Sequence, residues 1–158
     1  MESTLTTKER KKAFDKIFKE KTVPFLETNG FRLYSKTTKR FFKLLPHQLS
    51  VYIYFEFKTF GSGFYDISIV YYDEELGPAD GDVYLSSVSG RKPHIKATTM
   101  ASLQSSVEDW IQKMQQTVIP FIETHSTHQS ILQDAYQFYF SNPRQGECFE
   151  LLKRKSLL

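Results

Sequence analysis

Between Leu49 and Tyr72 the chain alternates apolar and polar residues with a period of two, and no other feature constrains the fold as tightly. Leu49, Val51, Ile53, Phe55 and Phe57 fall on one side of an extended strand, and Ser50, Tyr52, Tyr54, Glu56 and Lys58 on the other. Phe60-Gly61-Ser62-Gly63 supplies a turn. Phe64 to Tyr72 then alternates again, with Tyr65, Ile67, Ile69 and Tyr71 against Asp66, Ser68 and Val70. Two such runs across a short glycine turn predict an antiparallel hairpin.

Shorter strands are expected at Phe31 to Ser35 and Arg40 to Leu45, around a turn at 36–39, with Pro46-His47 ending the second. Residues 73–82 read as a solvated acidic loop, and Val83 to Val88 as a short edge strand. Both ends of the chain carry the period of a helix instead. Thr6 and Glu9 have capping-box spacing, and Ala13, Phe14, Ile17 and Phe18 share one face. Pro24 interrupts that helix, and Asn29-Gly30 closes it. Leu103, Val107, Trp110, Ile111, Met114, Val118, Phe121 and Ile122 form a second stripe, for which Ser105 with Glu108 offers a capping box. Thr127 caps a further segment, with Ile131, Leu132, Ala135, Tyr136 and Tyr139 facing inward. Asn142-Pro143 ends it and starts a third around Phe149, Leu151 and Leu152.

Helix, antiparallel strands and helices, in that order, predict one α+β domain over residues 1–158, with Met1 to Leu5 frayed. The expected architecture has two layers. A mainly antiparallel sheet of about four to five strands is packed by the N-terminal and C-terminal helices. One echo stands out: Pro24-Phe25-Leu26-Glu27-Thr28 returns as Pro120-Phe121-Ile122-Glu123-Thr124. No strands follow the second copy, so a shared way of bending and ending a helix explains it better than duplication.

The 158 residues include 14 Phe, 9 Tyr and one Trp, enough aromatic surface for a core and an interface together. Cys148 is the only cysteine, which excludes an intrachain disulfide and fits a reducing compartment. The start has no apolar run of a signal peptide, and no stretch is long enough to span a membrane, so the cytoplasm is the expected location. Charge is uneven along the chain. Residues 1–45 hold 12 basic against 5 acidic side chains, and residues 46–90 hold 1 against 7.

Catalytic patterns are missing. Ser62 lacks a nucleophile elbow, and Cys148 has no partner tied to it by spacing. His125 and His128 are three apart, but Ser126-Thr127 breaks the helix that would align them. They read as surface histidines in a turn rather than metal ligands with His94, Asp134 or Cys148. No cofactor pattern is present. Glu56 and Asp66 lie on adjacent predicted strands and read as solvent-facing carboxylates.

The stretch Pro24-Phe25-Leu26-Glu27-Thr28-Asn29-Gly30-Phe31-Arg32 leads to Arg40-Phe41-Phe42 as a short strand. Long sheet strands and the Trp110 to Ile122 helix, with a further helix after it, complete the pattern. This order resembles a bacterial domain family of unknown function, numbered forty-three-oh-four, over most of the chain. The resemblance implies an α+β fold, no established activity and no catalytic residues. By fold-level analogy, small bacterial proteins of this build can act as toxin-neutralising partners.

The function expected from these residues is non-enzymatic binding of a protein partner. Tyr52 and Tyr54, rimmed by Glu56 and Asp66, would form the surface. One alternative is a small-ligand binder or enzyme with a pocket between sheet and helices, using Tyr65, Tyr71 or Glu56. Another is nucleic-acid binding by Lys8, Arg10, Lys11, Lys12, Lys16, Lys19 and Lys21 together with the sheet tyrosines.

Overall fold

The computed structural model describes residues 4–35, 39–57, 64–77, 84–88, 94–96, 98–140 and 144–158. The first helix, α1 (Thr7–Ile17), starts at the expected capping box: the Thr6 N–H donates to Glu9 Oε1 at 2.9 Å, and the Glu9 N–H donates to Thr6 Oγ1 at 3.2 Å. It runs through a wider π turn, Phe18–Thr22, into α2 (Val23–Thr28). Pro24 lies in the first turn of α2, where a missing N–H costs least. Gly30 takes φ +87°, which lets the Phe31 N–H reach the Leu26 carbonyl at 3.0 Å and the Gly30 N–H reach Glu27 at 3.1 Å. This pair of bonds satisfies carbonyls that a helix end otherwise leaves open.

The echo along the chain repeats the same device. A π turn, Met114–Val118, links α3 (Met100–Lys113) to α4 (Ile119–Thr124), and Pro120 again lies in the first turn. Thr28 and Thr124 each donate a hydroxyl to the carbonyl of their proline, at 2.8 and 2.6 Å. Asn29 Nδ2 then donates to the Phe25 carbonyl, as His125 Nδ1 does to that of Phe121. The repeated letters thus encode a helix ending in which a polar side chain replaces a lost backbone donor. The cap of α3 differs from expectation: Thr99 with Ser102 forms it, well before Ser105, because the helix starts ahead of its apolar stripe.

The sheet is α+β in context and antiparallel in every described pairing. Its strands are β1 (Arg32–Ser35), β2 (Arg40–Leu44), β3 (Leu49–Phe57), β4 (Phe64–Asp73), β5 (Ser86–Val88), β6 (His94–Lys96) and β7 (Phe138–Tyr139). The order is β1-β2-β3-β4-β5-β7, with β6 beside β4 further along. This makes seven strands among the described residues, more than the four to five expected. The extra ones are β6 and β7, three and two residues long, too short for alternation to reveal. The hairpin of β3 and β4 pairs without interruption from Leu49↔Asp73 to Phe57↔Tyr65. Its predicted glycine turn lies outside the described residues, as does the second half of the predicted acidic loop; the first half instead ends β4 at Asp73 and forms a 3-10 turn, Glu74–Leu76. β5 is not an edge strand, since β7 pairs on its far side.

After α4 come α5 (His128–Gln133), capped by Thr127, and α6 (Gln145–Lys155). The predicted inward stripe of α5 stops early. The helix ends at Gln133, and Tyr136 and Tyr139 are 81% and 56% exposed. Asn142-Pro143 lies outside the described residues.

Odd-numbered residues of β3 and β4 meet the helices. Phe14 stacks on Tyr65 at 3.7 Å, Phe18 meets Phe41 and Phe55 at 5.5 and 5.4 Å, and Trp110 meets Phe55 at 5.1 Å. These side chains belong to one cluster of buried residues, continuous from Phe14 in α1 to Leu152 in α6. No helix among the described residues is long and apolar enough to cross a membrane.

Candidate partner-binding face

Alternation sorts the sheet into two faces. Leu49, Val51, Ile53, Phe55, Tyr65, Ile67, Ile69 and Tyr71 are all buried on the helix side. The even-numbered residues face the other way. Register places Arg40 opposite Tyr54, Phe42 opposite Tyr52, and Tyr52 opposite Val70.

An aromatic cluster occupies this second face. Tyr52 lies at its centre, with ring centroids 5.9 Å from Tyr34, 5.7 Å from Phe42, 6.0 Å from Tyr54 and 5.2 Å from Tyr72. Tyr54 and Tyr72 share a hydroxyl hydrogen bond of 2.8 Å. Arg40 lies over Tyr34 and Tyr54, its guanidinium carbon 5.2 and 5.5 Å from the two rings, a cation–π arrangement that holds both side chains. These ring contacts join strand to strand. Tyr52 is only 5% exposed, although no helix supplies a ring contact to it among the described residues. Its neighbours shield it, so the accessible part of this cluster belongs to the half-exposed Tyr34 and the half-buried Phe42 and Tyr54. Sequence alternation identified Tyr52 and Tyr54 but missed Tyr34 and Phe42, which come from short strands with an interrupted register.

Glu56 and Asp66 face each other directly across the hairpin, and both are exposed. They mark one end of the aromatic face. The lysines of α1 lie elsewhere: Lys8, Lys11, Lys12 and Lys16 are exposed on a helix whose buried residues, Phe14 and Ile17, pack on the opposite side of the sheet. The basic helix and the tyrosines are therefore separated by the sheet itself. Tyr65 and Tyr71 are buried under the helices, and burial pushes both phenols well above their usual pKa. Glu56 is on the other face, so these three do not converge on one pocket.

A second polar cluster lies on the helix side, and alternation gave no sign of it. Asp73, expected in the solvated loop, ends β4 and is buried. Its carboxylate accepts hydrogen bonds from His128 Nε2 at 2.7 Å, from Lys155 Nζ at 2.9 Å on each oxygen, and from the Glu75 N–H at 2.9 Å. Burial alone would push the Asp73 carboxyl up. The three donors and the Lys155 charge outweigh burial and hold it below its usual value. Lys155 also donates to the His47 carbonyl at 3.0 Å and to Gln48 Oε1 at 3.2 Å. His47 and Gln48 take φ +60° and +69°, a left-handed turn costing about 1–2 kcal/mol per residue. One ammonium thus ties the end of α6 to this turn and to β4.

His128 is buried, not exposed in a turn as the sequence suggested, and so is His125. His125 Nε2 lies 2.7 Å from Asp134 Oδ2, and its carbonyl accepts the Tyr71 hydroxyl at 2.9 Å. Buried histidines are invisible to periodicity when they lie at a helix end, since the groups that satisfy them come from other elements. Among the described residues no group of three His, Cys, Asp or Glu side chains is placed to hold a metal ion. Cys148 is buried, 3.6 Å from the Tyr84 carbonyl.

Surface clefts also lie among the described residues. One, of about 410 Å³, runs between Glu75-Leu76 and α6, and its charges close on one another as Arg144 with Glu147 and Arg154 with Glu75. Another, of about 280 Å³, lies at the β1–β2 edge. Compared with protein-family models, curated proteins and solved structures, the chain matches none.

Proposed function

We propose that the protein is a non-enzymatic binding module that docks a protein partner on the aromatic face of its sheet, opposite the one that Phe14, Phe18 and Trp110 pack. One observation carries this reading: five rings, Tyr34, Phe42, Tyr52, Tyr54 and Tyr72, are gathered on the face opposite the one the helices pack. Rings with polar tips, held rigid by their neighbours, give a partner large contact area at little cost in side-chain entropy. Nucleic acid is the weaker reading. The lysine-rich helix lies across the sheet from the rings, and two carboxylates border the rings themselves, so phosphate attraction and base stacking would act on opposite sides. The lone, buried Cys148 fits a reducing compartment such as the cytoplasm.

Site-specific photocrosslinking tests the proposal. A benzophenone amino acid replaces Tyr34 in one version and the exposed Lys12 of α1 in another. In extract of the source cells, discrete protein adducts are expected from position 34 and not from position 12. Nucleic-acid adducts at position 34, or the same adducts from both positions, would overturn it.

A further inference from the structure

The face has a charged polarity that narrows the partner's chemistry. At the β1–β2 edge a cleft of about 280 Å³ is lined by Gly30, Arg32, Phe42, Lys43 and Leu44. The Lys43 stem packs over Gly30, where a Cβ would come within 3.3 Å of Lys43 Cε. Leu44 is 69% exposed, a large apolar side chain standing in water on the face that carries Phe42 and Arg32. Arg32 is exposed and has no ion-pair partner among the described residues, whereas Lys43 lies over the Phe31 ring at 5.8 Å. The acids of this face, Glu56 and Asp66, belong to the other end. Arg32 pairs with Phe42 and Phe42 with Tyr52, and Glu56 is four residues beyond Tyr52 along β3. That spacing is roughly 14 Å at the rise of a strand. It exceeds the screening length of about 8 Å at physiological ionic strength, so the carboxylates do not neutralise the cleft.

Resting on the docking reading above, we propose that this cleft receives an acidic side chain, Asp or Glu, from a protein partner, with an adjacent aliphatic residue packed on Leu44 and Phe42. Arg32 shares the face of Phe42, and its guanidinium offers a carboxylate charge-assisted hydrogen bonds, whereas Lys43 pairs with Val51 and turns its ammonium to the Phe31 side. The cleft is too small for a drug-sized ligand but holds one or two side chains. An acidic segment entering at Arg32 then runs over Phe42 towards Tyr52 and Tyr54. The phosphate backbone of a nucleic acid meets the first requirement, but it brings no aliphatic group to Leu44 and is repelled at Glu56 and Asp66.

The test is an amide chemical-shift titration of the full chain with three probes: a blocked hexapeptide of alternating Asp and Leu, its Lys–Leu counterpart, and a ten-residue oligo-dT. The Asp–Leu peptide is expected to give saturable shifts at Arg32, Phe42 and Leu44 at millimolar or lower concentration. Arg32→Glu should weaken it about tenfold, the size of one charge-assisted hydrogen bond, and should gain affinity for the Lys–Leu peptide. Leu44→Ser should weaken the acidic peptide without that gain. Both substitutions are at exposed positions, and unchanged thermal unfolding verifies that each variant folds. No saturable shift with the Asp–Leu peptide, equal shifts with both peptides, or saturation by the oligonucleotide instead overturns the proposal. Should the acidic peptide fail while crosslinks from position 34 persist, the acidic-partner assignment falls and the docking face stands.

Discussion

The two faces of the central sheet are built from the same strands and both are rich in aromatic residues, yet they are stabilised differently. On the helix side, Phe14, Phe18 and Trp110 come down from helical segments and seal odd-numbered residues such as Phe55 and Tyr65. On the other side the rings shield one another within the sheet, and Tyr34 remains 49% exposed. Burial by distant elements couples a side chain to the whole fold. Burial by strand neighbours couples it only to its ladder. The first face should therefore govern stability and the second recognition.

The largest effects are expected on the helix side. Phe14→Ala removes a fully buried ring from the layer interface and should cost about 3–5 kcal/mol in urea unfolding. Asp73→Asn should cost up to about 3–5 kcal/mol, because it leaves the buried Lys155 ammonium with only the partly exposed Glu75 carboxylate, 3.4 Å away. Adding Lys155→Met to Asp73→Asn should recover part of that loss, and a double variant less stable than the single one would show that Lys155 has another role. Asp73 also sets a pH dependence. Its folded pKa lies below the usual 3.8, so its contribution is complete above that value and is lost as pH falls through the depressed folded value. Stability measured down through this acid range should fall more steeply in the wild type than in Asp73→Asn.

Smaller effects are expected across the sheet. Tyr52→Ala should cost about 2 kcal/mol, less than Phe14→Ala, since neighbouring rings and water can refill its site. A loss equal to that of Phe14→Ala would erase the proposed difference between the faces. Tyr54→Phe removes one hydroxyl bond to Tyr72 and should cost about 1 kcal/mol. Tyr34→Ala, at the exposed margin, should shift stability by about 0.5 kcal/mol or less while abolishing partner capture. The reverse pattern, lost stability with capture intact, would assign Tyr34 to the fold alone.

Much of this contrast was legible along the chain. The alternation of Leu49 to Phe57 and of Tyr65 to Tyr71 set the long hairpin and divided its faces, and the Thr6–Glu9 spacing gave the first helix its start. Position on a face was thus readable for Tyr52, Tyr54, Glu56 and Asp66. Tyr34 and Phe42 were missed as site members because their strands are four and five residues long. Asp73, His128 and Lys155 were missed for a different reason: 55 and 82 positions separate the aspartate from its two partners, and no local pattern records so distant a pairing.

The sequence alone determined the periodicity of each element, because side-chain direction follows from backbone geometry within a few residues. Which face the helices would seal, and which buried carboxylate would bind the last turn of α6 to the end of β4, was decided only when the elements packed. The reason is physical. A repeat of two or 3.6 residues fixes how side chains point relative to one another, but exclusion of water depends on what arrives from elsewhere in the chain.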